Sequence, residues 1–313
     1  MNRDQGQLFA EEAMTSEPHA RPHPLDGQVH DEFFGHEHLT VIEPHGSLFD
    51  LKLCELWAYR DLVRLFVRRD FVAQYKQTIL GPAWHFIQPL FTTLIFTVVF
   101  GKIARIPTDG LPPFLFYMAG TVIWTYFANV MTDTSGTFVR NAHIFGKVYF
   151  PRLVVPVSTL LSKLIAFAIQ FAFLLMFMAW FVLRGADLAP NAWVLVTPLL
   201  LLMMAAFGLG LGVIVSALTT RYRDLTVLVG FGVQLFMYAS PIIYPLSALP
   251  EDWRFWAALN PITPIVETFR YAYLGAGAAS PMLLAYSAVV ILVVLILGVA
   301  MFNRVERTFM DTV

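Results

Sequence analysis

Charge leaves this chain in blocks. From Gln77 to Gly101 no Asp, Glu, Lys or Arg occurs, and further charge-free windows follow at 110–132, 164–183, 188–220, 225–250 and 271–303. A membrane-crossing helix needs about 20 mainly apolar residues, so each window is long enough to hold one. The pattern predicts helices near 84–104, 113–135, 157–183, 193–217, 225–244 and 281–303. One such window alone could be a buried core helix; six in one chain predict an all-α integral membrane protein.

The segments between the windows carry their own patterns. Residues 53–76 read LCELWAYRDLVRLFVRRDFVAQYK. At 3.6 residues per turn Arg60, Asp61, Arg64 and Arg68 share one arc, with Tyr59, Leu62, Val63, Leu65 and Phe66 on the other. A basic amphipathic helix next to a predicted span lies along the membrane surface, over residues 51–78. Residues 138–156 mix Arg140, Lys147 and Arg152 with Phe138, Ile144, Phe145, Tyr149 and Phe150. That mixture predicts a short helix with exposed aromatics, a docking surface by default. Between the last two windows, Pro245, Pro250, Pro261 and Pro264 cut the chain into two short helices near 250–258 and 262–274. At 1.5 Å per residue these reach about 14 and 20 Å, against a hydrocarbon core of about 30 Å. Neither spans, and the pair is expected to re-enter from the outer side.

Orientation follows from Lys and Arg. With both termini cytoplasmic, the inner segments hold 15 cations and the outer ones five: Lys102, Arg105, Arg184, Arg254 and Arg270. Composition agrees with a membrane protein. The 313 residues are 57% hydrophobic and 14% charged, where a soluble domain carries about 25% charged. The net charge of −1 and the lack of a basic tract give no nucleic-acid patch. A single cysteine, Cys54, rules out a disulfide within the chain. The first 50 residues are polar, hold six of the eight histidines and have no apolar core of a signal peptide. They are expected to form a disordered cytoplasmic tail, and their histidines lack the regular spacing of a metal site.

Several chemistries are missing. No G-x-x-x-x-G-K-[ST] occurs, so no phosphate loop is expected on this chain. No acid sits deep in a predicted span, as an ion-coupled carrier would need, and no paired-carboxylate or zinc pattern supports a glycan-processing enzyme. The expectation is a subunit with no catalytic residue, no metal and no cofactor of its own.

Several ordered motifs carry a resemblance: RRDFVAQYKQTILGPAW (68–84), KVYFPRLVVP (147–156), ALTTRYRD (217–224), SPIIYP (240–245), LNPITPIVETFRYAYLG (259–275) and NRVERTFMDTV (303–313). Over residues from about 50 to 313 the chain resembles the membrane subunit of ABC exporters for bacterial polysaccharides: O-antigen, capsule and teichoic-acid transporters of the type-2 superfamily. A permease for small lipids or drugs of the same superfamily is the alternative, although it gives no reason for the long amphipathic helix.

The resemblance implies a transmembrane domain over 79–313 in the bacterial inner membrane. It implies a homodimer, with two ABC ATPase subunits binding ATP and Mg beneath it. The cargo would be a lipid-linked polysaccharide, in typical cases on a polyprenyl pyrophosphate. Segment 138–152 would be the coupling helix, with Arg140, Ile144, Phe145, Lys147 and Tyr149 at the ATPase contact. Arg68, Arg69 and Lys76, just before Gly81 and Trp84, would meet the pyrophosphate, which suits guanidinium forks. Phe91, Tyr117, Trp124, Phe127 and Phe236, near helix centres, are candidates to line a glycan channel. Segment 250–274 would be an outer gate, with Trp253, Phe255, Trp256 and Tyr271.

Overall fold

The computed structural model describes residues 53–76, 78–145, 147, 150–219, 222 and 224–309. The histidine-rich tail and Tyr149 therefore lie outside the described residues. Among those described, the elements are helices and connecting loops.

Two helices precede the first long one, α1 (Leu53–Ala58) and α2 (Arg60–Tyr75). Val63 and Phe66 of α2 are buried, while Arg64 and Arg68 stay exposed. Asp61 in its first turn suits the positive end of the helix. Leu65, on the apolar arc, is 59% exposed. Gly81 then takes φ +51°. Space is open where its Cβ would stand, so glycine is favoured there by backbone strain alone. Helix α3 starts at once (Trp84–Phe96) and continues in wider turns over Thr97–Ile103. Pro89 removes one amide donor inside α3.

Helix α4 (Pro113–Ser135) leads through the short α5 (Thr137–Phe145) to α6 (Val154–Leu183), and α7 (Thr197–Thr219) follows. Helix α7 is the centre of the bundle, packed on α4 and on α11 (Pro281–Phe309). Small residues allow these close crossings. A Cβ on Gly212 would stand 2.7 Å from Thr134 Cβ, and one on Gly298 2.6 Å from the Gly210 carbonyl. The main apolar core fills the space among α4, α6 and α7; a smaller one lies under α2 and α5.

Among the described residues, five helices are long and apolar enough to cross a membrane: Trp84–Ile103, Pro113–Ser135, Val154–Leu183, Ala192–Thr219 and Pro281–Val305. The helix expected over 225–244 is shorter: α8 (Leu225–Tyr238) stops six residues early. The cause is the Ser240-Pro241 step, because proline lacks a donor and disfavours helical geometry in the residue before it. Helices α9 (Glu251–Leu259) and α10 (Ile262–Leu274) lie close to the two short helices read from the sequence. Gly275, at φ +79°, closes α10 in the left-handed conformation.

Candidate functional site

A cavity of about 320 Å³ opens among α3, α4, α6 and α8. Trp84 and His85 stand at the start of α3, and Gln88 and Thr92 follow one and two turns later on the same wall. From α4 come Thr121, Trp124, Thr125 and Asn129; Gln170 of α6 and Gln234 of α8 complete the polar lining. Among the described residues, no Asp, Glu, Lys or Arg lines it. The spacing explains the arrangement: Thr121, Thr125 and Asn129 are four apart, so they stack on one helix face. The side-chain oxygen of Gln170 has no hydrogen-bond partner among the described residues, although the residue is only 3% exposed.

Of the aromatics expected in a channel, Trp124 lines this cavity. Its ring packs edge-on to Phe236 at 5.9 Å. Tyr117 and Phe127 are fully buried in the apolar core. Phe91 faces outward, 60% exposed.

A second cavity, of about 310 Å³, is charged and bounded by α2, α4, α5 and α6. Arg69 lines it, with Nε and Nη2 donating to Asp70 Oδ1 at 2.9 and 2.8 Å and its guanidinium over the Phe66 ring. Asp133 is shared between Lys163, at 2.6 Å, and Arg140, at 3.5 Å. Arg140 also donates to the Asp133 carbonyl. Arg68 instead lines an apolar groove between α2 and α6, beside Val67 and Ile165. Lys76 caps the end of α2 and is exposed. The three cations grouped in the sequence thus face three different surroundings.

Segment 138–152 departs from the expectation of exposed aromatics. Phe138, Phe145 and Phe150 are buried, in a cluster with Phe66 and Phe302. Phe138 stacks on Phe302 at 4.5 Å, Phe66 meets Phe150 edge-on at 5.8 Å, and the Arg152 guanidinium lies 5.5 Å from the Phe145 ring. Ile144 packs against the same cluster. Val139, Arg140, His143 and Lys147 are the exposed positions among the described residues of this stretch. The reason is a shortage of apolar cover: α2 and α11 need the rings of α5 to close the small core.

The outer-gate residues split. Trp253, Phe255 and Trp256 on α9 are 66%, 64% and 66% exposed. Tyr271 on α10 is half-buried, and its carbonyl accepts from Asn191 Nδ2 at 2.9 Å. On the same helix lies a constellation around Arg270, which the sequence pattern marks only as an outer cation. Arg270 is buried; Nη1 donates to the Pro241 carbonyl at 2.6 Å and Nη2 to the Ile242 carbonyl at 2.7 Å. Its guanidinium lies 3.7 Å from the Phe116 ring centroid and 3.6 Å from Glu267 Oε1. Burial pushes the arginine down to about 10, so it remains cationic at neutral pH. Burial pushes the Glu267 carboxyl above its usual range, against the pull of Arg270 and of a hydrogen bond from Leu246 N–H. Glu267 and Arg270 are three apart and share a helix face, a spacing readable in the sequence. The carbonyls that complete their shell come from a loop about 25 residues earlier, which no local pattern reveals.

Comparison with known proteins places this architecture. The ABC-2 type transporter family model matches residues 61–274. An O-antigen export system permease protein, RfbA, of Klebsiella pneumoniae is 25% identical over 251 residues, 80% of this chain and 94% of that protein. RfbA of Myxococcus xanthus is 28% identical over 223 residues, 69% of this chain and 81% of its own. The polysialic acid transport protein KpsM of Escherichia coli is 22% identical over 249 residues, 78% of this chain and 93% of its own. The family match spans α2 to α10, well over half of the sequence, and includes both cavities and the buried Glu267–Arg270 pair; this chain belongs to the ABC-2 type transporter family.

Proposed function

We propose that this chain is the permease subunit of an ATP-driven exporter that moves a lipid-linked polysaccharide across the bacterial inner membrane. It works as a homodimer, with two copies of a separate ATPase subunit that bind ATP and Mg; this chain supplies no phosphate loop. The cargo is an O-antigen-like glycan on a polyprenyl pyrophosphate, and both termini are cytoplasmic. Helix α8 is the sixth crossing, and α9 and α10 return from the outer side.

The observation that carries the reading is the uncharged polar cavity behind Trp84, set among otherwise apolar helices. Amides, hydroxyls and an indole at that depth suit sugar hydroxyls and the apolar faces of sugar rings. The names of the relatives, O-antigen export and polysialic acid transport, agree with it. Arg68, Arg69 and Lys76 stay the candidates for the pyrophosphate at headgroup depth; Arg69 would exchange Asp70 for the phosphate as it binds. Since Ile144 and Phe145 turn inward, ATPase docking falls to Val139, Arg140, His143 and Lys147.

Purification of the permease with its ATPase, followed by mass spectrometry of bound lipid, tests the proposal. The expected result is enrichment of a polyprenyl-pyrophosphate glycan over an empty-membrane control. A complex that carries only bulk phospholipid overturns it.

A further inference from the structure

The lining of the Trp84 cavity narrows the cargo, on the assumption that the polysaccharide reading above holds. We propose that this cavity takes an uncharged polyhydroxylated segment, a neutral glycan in preference to an acidic one, and that Gln170 is a specificity-determining residue that accepts a hydrogen bond from a sugar hydroxyl.

Gln170 comes first in the reasoning. Its side chain is buried in α6, it lines the cavity, and its oxygen has no partner among the described residues. A buried acceptor without a donor is costly, and native proteins rarely keep one without a reason. Gln170 lines the cavity, so a small turn of its amide would bring this oxygen to a donor that arrives with a ligand. The amides of Gln88, Asn129 and Gln234 make no side-chain hydrogen bond among the described residues either. They leave donors and acceptors for hydroxyls that also do both. The volume, about 320 Å³, is the room of roughly ten waters at about 30 Å³ each, enough for a sugar residue beside the Trp124 ring.

Charge decides between glycan classes. A uronate or sialate carboxylate entering this space would lose its water and find no Lys or Arg in the wall among the described residues. Lys163 lies in the neighbouring cavity and already holds Asp133 at 2.6 Å. An unpaired carboxylate in a low-dielectric site is penalised far more heavily than a hydroxyl that can be hydrogen-bonded. His85, at the Trp84 end, is the titratable group in the lining. An ordinary imidazole is neutral at about pH 8, which sets the conditions for a test.

The full-length permease in lipid nanodiscs, at about pH 8, is titrated with a mannose-type neutral oligosaccharide and with a sialic-acid-bearing one of equal length. Tryptophan fluorescence reads binding, and Trp124→Phe locates the signal. The expected result is saturable binding of the neutral chain and binding of the acidic chain about tenfold weaker or less. Gln170→Leu should weaken the neutral chain by about 3- to 10-fold while its thermal unfolding midpoint stays level or rises, because an unpaired buried acceptor has been removed. A merely structural glutamine would lower the midpoint instead. Equal or tighter binding of the acidic chain, or unchanged affinity in Gln170→Leu, overturns the neutral-glycan proposal and leaves the exporter reading standing. Binding of neither chain overturns the glycan reading together with it.

Discussion

Helices α9 and α10 are neighbours in sequence and alike in length, and both are too short to span. Their surroundings differ completely. No residue of α9 is buried, and its three large aromatic residues are about two-thirds exposed. Every residue of α10 except Tyr271 is buried. Helix α9 is tied by side chains at both ends: Arg254 donates to the carbonyls of Ser247 and Leu249, and the hydroxyls of Thr263 and Tyr286 donate to the carbonyls of Ala257 and Leu259. Helix α10 is pinned along its length by α4, α7 and α11, and by the Arg270 bonds to the 241–242 backbone. A short proline-bounded helix is therefore no sign of a moving part. Of the two, α9 has the exposed rings to rest in an interface; α10 is a core element that happens to be short.

The largest expected effect tests the fixed half. Arg270→Ala leaves two buried carbonyls and the Glu267 carboxyl without their partner, at a cost of about 3–5 kcal/mol. A wild-type thermal unfolding midpoint in detergent would refute the pinning. Gly120→Ala comes next. Its new methyl group would stand 2.6 Å from Arg270 Nη2, an overpacking worth about 1–3 kcal/mol on the same measurement. Glu267→Gln should cost less than about 1 kcal/mol, because the amide still accepts from Leu246 N–H. It should also remove a pH slope. A carboxyl raised on folding contributes fully below its ordinary range and loses that contribution as pH rises through its raised value. Unfolding followed from acid to neutral pH should show a decline in wild type that the variant lacks.

On α9 the same measurement should hardly move: Trp253→Ala with Trp256→Ala should stay within about 0.5 kcal/mol of wild type per site. A larger loss would mean that α9 packs as α10 does. The smallest perturbation concerns place. Asp252→Cys in a Cys54→Ser background should react with an impermeant thiol reagent added outside intact spheroplasts. Labelling only in broken membranes would put α9 on the other side.

Much of this arrangement is legible in the amino-acid sequence. Absence of charge located the long helices because a hydrocarbon solvent excludes it, and the ends at Ile103, Ser135 and Leu183 fell within one residue of expectation. The end of α8 was missed, since apolar residues continue past Tyr238 and the turn there is set by Pro241. The facing of the α5 aromatics was missed for a different reason. Phe66, Phe145 and Phe302 meet across more than 200 residues, and no local period records such a contact. The polar cavity was half visible. Thr121, Thr125 and Asn129 stand at helical spacing inside a charge-free window, but a division into charged and apolar residues hides uncharged polar ones.

The brevity of α8 has a consequence for the surrounding bilayer. Its 14 residues rise about 21 Å, against a hydrocarbon layer of about 30 Å. Several of its side chains point outward: Val227, Leu228, Phe231 and Leu235 are all more than half exposed. In the proposed topology, where α8 is the sixth crossing, lipid that meets this face compresses its tails to match, at a modest elastic cost for each ångström. The thinnest membrane around the protein is therefore expected beside Gln234, where an amphiphile leaving the apolar layer has the shortest distance to travel.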